Sequence, residues 1–61
     1  MGSIINDMEE FSRMAASFRL QGFVSYAQDW ERVIDRLFNE YPELESEFLD
    51  AQERGVEKAR K

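Results

Sequence analysis

The chain has 61 residues, a formal net charge of −5, and neither cysteine nor histidine. This length limits it to a single domain, residues 1–61, near the lower size at which a chain folds unaided. The lack of cysteine excludes a disulfide scaffold and is compatible with a reducing cytosol. No apolar run approaches the length of a membrane span, and no segment resembles a signal peptide. We therefore expect a cytoplasmic domain.

The first predicted element is an amphipathic helix over residues 4–20. Its apolar residues recur at alternating spacings of four and three, the period of a helix that buries one stripe: Ile4, Met8, Phe11, Ala15 and Phe18. The helix start has two candidate N-caps. Asn6 followed by Glu9 has the spacing of a capping box, and Ser3 is the alternative. Residues 1–3 are interpreted as a tag remnant or a disordered start.

Gly22 follows this stripe, and it either interrupts one long helix or separates two. Extending the stripe beyond Phe18 predicts apolar residues at five positions that hold Gly22, Ser25, Asp29, Arg32 and Arg36. None of these suits a core, so the next stripe is displaced by about 100° around the helix axis. Glycine costs about 1 kcal/mol inside a helix and is favoured just beyond a C-terminus. We predict a corner at Gly22; the alternative is a continuous, kinked helix.

A second helix is predicted over residues 23–40. Its stripe has the same alternating spacing: Phe23, Ala27, Trp30, Ile34, Leu37 and Tyr41. Pro42 disfavours helical geometry in the residue before it and suits the first turn of a new helix. The second helix should therefore end near Tyr41, and a third should span about residues 42–59.

The charges of the third helix complement the helix dipole. Acidic residues crowd its start and basic residues its end: Glu43, Glu45 and Glu47, then Arg54, Lys58, Arg60 and Lys61. Two ion pairs between residues one turn apart are expected: Asp50–Arg54 and Glu57–Lys61. Gly55 is predicted to weaken the last turns, so residues 58–61 are interpreted as a frayed basic tail.

These elements predict an all-α fold of three short helices, about 4–20, 23–40 and 42–59, that form a helical hairpin or bundle. Three stripes rich in large rings exceed what a minimal bundle requires, which suggests that one faces another subunit. We therefore expect a homodimer, because a symmetric pair is the commonest solution for such chains. The residues expected in the core and in self-association are Phe11, Phe18, Phe23, Trp30, Ile34, Leu37 and Phe48.

Enzyme chemistry is not expected from this composition. Without histidine or cysteine, the usual general base, the thiol nucleophile and most transition-metal ligands are missing. Three short helices scarcely enclose a cleft for a carboxylate pair. The segment 50–55 lacks the alternating oxygen ligands of a calcium loop. We predict no catalytic residue, no cofactor and no metal.

A protein partner is the leading hypothesis, with Glu43, Glu47, Asp50 and Arg54 as the partner-binding surface. This acidic run is suited to a basic partner, and one variant of the hypothesis is an antagonist that occupies a host DNA-binding protein. A membrane-surface role is disfavoured because such helices are typically basic.

The alternative is a DNA-associated transcriptional regulator with a degenerate helix-turn-helix around Gly22. That motif usually has a small residue four positions before its glycine, where this chain has Phe18. Acidic side chains on the second helix would also face phosphates, which disfavours nucleic acid. On this alternative the basic C-terminal tail would contact the DNA: Arg54, Lys58, Arg60 and Lys61.

The chain resembles a known protein family in three features: the segment FRLQGFVSYAQDW, the EYP corner and the acidic-then-basic last helix. It is similar to the small accessory proteins of lambdoid phages that are encoded between the exonuclease and excisionase genes. The resemblance spans most of the chain and implies a helical, non-enzymatic protein made early in infection. Such a protein biases phage development or host replication through protein contacts in the host bacterial cytoplasm. It carries over no catalytic residue.

Overall fold

A computed structural model describes residues 3–61 and consists of three α-helices. Helix α1 spans Ile4–Leu20, α2 spans Val24–Glu40 and α3 spans Glu45–Ala59; the described residues contain no strand. The predicted all-α fold of three helices is confirmed. The predicted helix bounds agree within a few residues, because local periodicity and helix-breaking residues decide them.

Ser3 directly precedes helix α1, and its hydroxyl oxygen accepts a hydrogen bond of 3.1 Å from the backbone N–H of Asn6. Ser3 is therefore the N-cap. The capping box at Asn6 is wrong, because Asn6 already lies inside the first turn and its own N–H is the group being capped. Residues 1–3 were interpreted as a tag remnant or a disordered start. Of these, Met1 and Gly2 lie outside the described residues, and Ser3 is the N-cap.

The predicted corner at Gly22 is confirmed. Gly22 has φ = +86°, the left-handed conformation that favours glycine. The N–H of Phe23 donates to the carbonyl of Phe18 at 2.8 Å, and that of Gly22 donates to Arg19 at 3.1 Å. This pair of bonds is the Schellman motif, which ends a helix while satisfying its last carbonyls. Helix α1 therefore ends because of the backbone conformation at Gly22, and α2 starts in a new direction.

The second corner follows Tyr41, where the chain leaves α2. Pro42 opens a single 3-10 turn, Pro42–Leu44, and α3 continues from it. Proline at the first position of this turn has no N–H to leave unsatisfied. The predicted third helix thus consists of a 3-10 turn followed by an α-helix that reaches Ala59, with Arg60 as its C-cap. The fraying of residues 58–61 stays a prediction.

Helix α1 is the central element, since α2 and α3 both pack chiefly on it. The most deeply buried apolar residues come from all three helices: Met8, Ala15, Ala27, Ile34, Phe48 and Ala51. The ring of Phe48 lies edge-on to Phe38 and Tyr41, with centroids 5.5 and 6.3 Å apart. These contacts join α2 to α3 beside the Pro42 corner.

The predicted core residues divide into three groups. Ile34 and Phe48 are buried, and Phe11, Trp30 and Leu37 are partly buried against the core. Phe18 is also partly buried, next to the Gly22 corner. Phe23 is 50% exposed and lies outside the core, and its role in self-association stays a prediction. It follows the corner glycine directly, where the chain has already turned away from the packed face of α1.

Gly55 lies at the closest approach of α3 to α1. A Cβ built on it would be 2.3 Å from the carbonyl oxygen of Glu9, 2.8 Å from the amide nitrogen of Arg13 and 2.9 Å from the Cβ of Ser12. The sequence reading of Gly55 as a helix-weakening residue therefore misses its main role. Only glycine allows the two backbones to come this close.

Candidate functional site

Glu9 on α1 holds two cations of α3. Its side chain is 19% exposed, and Arg54 donates from Nε to one carboxylate oxygen at 2.8 Å while Lys58 donates to the other. Arg54 was expected to pair with Asp50 on its own helix, which is wrong: it reaches across to α1. The expected Glu57–Lys61 pair is likewise not formed.

Hydrogen bonds from these cations change the acidity of Glu9. The bond from Lys58, followed by that from Arg54, holds the pKa of Glu9 below its ordinary value of 4.5. At the other end of α1, Arg19 forms a two-pronged ion pair with Glu31 of α2, with both N–O distances 2.7 Å. The Arg19 hydrogen bond lowers the pKa of Glu31 in the same way. These ion pairs tie both outer helices to α1.

The predicted partner-binding surface is divided between two roles. Glu43 lies in the 3-10 turn and Glu47 and Asp50 lie on α3, all exposed to solvent. Arg54 follows on the same face of α3 but is engaged by Glu9. Among residues 3–61, no ion pair engages the three acidic residues, whereas the arginine is paired with Glu9.

An apolar patch covers the Gly22 corner. Its four large side chains lie within seven consecutive residues and are roughly half to two-thirds exposed: Leu20 (66%), Phe23 (50%), Val24 (47%) and Tyr26 (59%). The rings of Phe23 and Tyr26 pack against each other with centroids 6.0 Å apart. We call these four residues the corner patch. The sequence reading assigned only Phe23 among them, because the others lie off the predicted stripes.

A groove of about 350 Å³ lies between α2 and α3, beyond the contacts that close the Pro42 corner. Small residues of α1 form its floor, including Ala15 and Ala16. Ile34 of α2 and Val56 of α3 form its walls, and Arg60 lies at its end. Because both outer helices pack on α1 rather than along each other, the groove stays open.

The groove side of α3 carries residues that sequence reasoning did not assign to a surface. Leu49 is 51% exposed, although it lies on the same helix as the buried Phe48 and Ala51. Leu49 and Val56 are seven residues apart and therefore share one face. In the sequence they form a second apolar line on α3, beside the one that packs on α1, but the sequence does not show that this line is exposed. We call this surface the α3 outer face.

Comparison of the chain with protein-family models, curated proteins and solved structures finds no match. None of the helices in the described part of the chain is both long and apolar enough to cross a membrane. Within residues 3–61, no three acidic side chains are grouped so as to hold a metal ion. The surfaces described above are therefore the features from which a function is inferred.

Proposed function

We propose that this chain is a non-enzymatic helical module that acts by binding a protein partner. The family resemblance extends the proposal to a phage-encoded regulator of phage development or of host replication. The single observation that supports it best is the corner patch, which exposes Leu20, Phe23, Val24 and Tyr26 together. Clustered exposed apolar side chains of this kind mark interaction sites more often than scattered ones do.

The hydrogen bonds and ion pair at the Gly22 corner favour a role in binding a protein partner. The Schellman bonds and the Arg19–Glu31 ion pair hold the ends of α1 and α2 in one geometry. Aromatic side chains then present a large contact area from a rigid support. Rigid aromatic anchors are common among the residues that dominate binding energy, because little side-chain entropy is lost when they bind.

The DNA-associated alternative draws less support. Two of the four cations assigned to the basic tail, Arg54 and Lys58, are both paired with Glu9, whose single negative charge offsets one of their two positive charges. Arg60 and Lys61 alone provide a small electrostatic footprint on a chain with net charge −5. The alternative predicts duplex binding that weakens steeply with salt. A titration that stays flat at low salt would remove it.

A comparative pull-down tests the proposal. The tagged chain and two variants are each used to capture proteins from bacterial lysate, with and without nuclease treatment. The test variant carries Val24→Gln and Tyr26→Gln in the corner patch, and the control carries Val33→Gln, which is also exposed but lies further along α2. Leu20 is left unchanged because it also lines the groove.

The expected result is a specific protein retained by the wild type and by the Val33 control and reduced at least severalfold by the corner variant. Circular dichroism verifies that all three chains keep their helical content. Equal capture by all three would contradict the corner patch as the binding site. Capture that disappears after nuclease treatment would support the DNA-associated regulator instead.

A further inference from the structure

The α3 outer face has a symmetric order of charged and apolar residues. Along it lie Glu45, Leu49, Val56 and Arg60, which recur at multiples of about one helical turn. Glu45 begins the helix, and Arg60, its C-cap, keeps right-handed helical dihedral angles, so the face extends over the whole element. An acidic end, two aliphatic residues and a basic end therefore follow one another on one line.

This order is self-complementary when two copies of α3 run antiparallel. A two-fold axis midway between Gln52 and Glu53 brings Glu45 of one copy opposite Arg60 of the second copy. The same axis brings Leu49 opposite Val56 of the second copy. Each contact occurs twice by symmetry, as in the isologous interface of a two-fold dimer. Antiparallel packing also places the helix dipoles in a favourable arrangement.

The groups needed for this pairing are free within the chain. Glu45 and Arg60 are both exposed, and neither has an ion-pair partner among residues 3–61. The neighbouring cations Arg54 and Lys58 are instead directed towards Glu9 on the opposite side of α3. The division of charge on α3 thus leaves one acid and one base at the two ends of its outer face.

The groove beside this face provides room for apolar side chains from a second copy. It opens between α2 and α3 and is lined by Ala16, Ile34 and Val56 as well as by Arg60. A second α3 placed along the outer face lies over this opening. Most residues first expected to drive self-association, such as Phe48 and Ile34, are buried inside the chain, whereas Leu49 on this face is 51% exposed.

We propose that the α3 outer face binds the same face of a second copy, antiparallel, to form a two-fold dimer. This deepens the proposed function, since it rests on the chain acting through protein contacts and names one partner. It concerns a different surface from the corner patch. Its test uses the purified chain alone, so that failure of dimerisation and failure of partner capture are separate results.

The test exploits the two charges at the ends of the face. Glu45→Lys places like charges opposite Arg60 of the second copy, and Arg60→Glu places like charges opposite Glu45 of the second copy. Each variant alone is expected to weaken dimerisation by about tenfold or more, because two symmetry-related pairs are lost and replaced by repulsion. An equimolar mixture restores both opposite-charge pairs in the heterodimer. The dimer mass should then return, as measured by light scattering during size-exclusion chromatography at several micromolar concentrations.

Two control variants, Glu47→Lys and Lys61→Glu, carry the same charge changes near the two ends of α3. Glu47 lies roughly 160° around the helix from Glu45, and Lys61 follows the C-cap and lies outside the helix. They alter the helix dipole in the same way and are expected to leave the dimer mass unchanged. Circular dichroism of each variant verifies folding, and rescue in the mixture shows independently that both test variants are folded.

Three results would overturn the proposal. The first is a wild-type chain that stays monomeric throughout the concentration series. The second is a mixture of Glu45→Lys and Arg60→Glu that is no more dimeric than either variant alone. The third is an equal loss of dimer in the control variants, which would indicate a dependence on overall charge rather than on this pairing.

Discussion

Gly22 and Gly55 lie in two regions of the molecule that require glycine for opposite reasons. At the Gly22 corner, φ is +86° and no atom lies within 4 Å of a built Cβ. At the α1–α3 crossing, Gly55 lies in regular helix, and the same Cβ would be 2.3 Å from a backbone oxygen. The first position needs glycine for its backbone conformation and has unused space. The second needs glycine for space and has an ordinary conformation.

The comparison explains why one region is open and the other closed. The corner ends a helix by local hydrogen bonds, which require no neighbouring element, so its apolar side chains remain available to a partner. At the crossing, the backbones of α1 and α3 are in close contact, so the space around Gly55 is already filled. A surface for binding is therefore expected at the corner, and the largest mutational effects on stability are expected at the crossing.

The largest effect is expected for Gly55→Ala. Its methyl group would overlap the backbone of α1, so the helices must separate, at a cost of about 3 kcal/mol in unfolding free energy. Urea unfolding followed by circular dichroism at one protein concentration measures this. Glu57→Ala, at an exposed position of the same helix outside the α3 outer face, is the control and should be close to neutral. Because alanine has the higher helix propensity, a stabilised Gly55→Ala chain would contradict the close crossing.

The next effect is expected at Gly22 and depends on chirality. Gly22→Ala should lower the unfolding free energy by about 1.5 kcal/mol, because an L-residue is strained at this φ. D-alanine at the same position, introduced by chemical synthesis, should raise it by roughly 0.5 kcal/mol, since the conformation suits it and space is available. Equal effects of the two alanines would show that backbone conformation is not what this position requires.

A smaller effect is expected for Phe23→Ala. The ring lies edge-on to Phe18, with centroids 6.4 Å apart, and this is the apolar contact that accompanies a Schellman motif. Its loss should cost about 1 kcal/mol, as typical for an aromatic pair. Val33→Ala, at an exposed apolar residue of α2, is the control. A Phe23→Ala chain as stable as this control would show that the ring serves binding alone.

The smallest effect is expected from the ion pairs of Glu9, and it depends on pH. The pKa of Glu9 is lowered in the folded chain, so its contribution is complete above pH 4.5 and is lost as the pH falls through the lowered pKa. Thermal unfolding from pH 6 to pH 3 should therefore show a shallower decline in Glu9→Gln than in the wild type. Glu53→Gln, at an exposed site without an ion pair in residues 3–61, should leave the slope unchanged. Identical slopes in all three chains would contradict a role for the Glu9 pairs.

Local patterns were sufficient to predict the helices and both corners. The phase shift of the apolar stripe indicated the corner at Gly22, and Pro42 indicated the second. The role of Gly55 was not predicted, although Ala51, Gly55 and Ala59 place small residues at every fourth position, a spacing that permits close backbone approach. That spacing indicates that α3 can pack closely against another helix, but it does not indicate which helix.

The candidate surfaces were predicted less well than the fold. Phe23 was assigned to a seam because it fits the α2 period, yet it precedes the first turn of α2 and points to the corner. Arg54 was expected to pair with Asp50, one turn away on the same helix, yet Glu9 of α1 holds it. In both cases the pattern along one helix was read correctly, and a contact with another part of the chain decided the outcome.

The sequence by itself determined three helices, their bounds and the conformation at Gly22, because periodicity, caps and backbone sterics act over a few residues. Only the tertiary structure decided that α1 is central, that Glu9 takes two cations from α3, and that the α3 outer face and the corner patch stay uncovered. These properties depend on residues far apart in the chain, such as Glu9 and Gly55, whose contact no local pattern specifies.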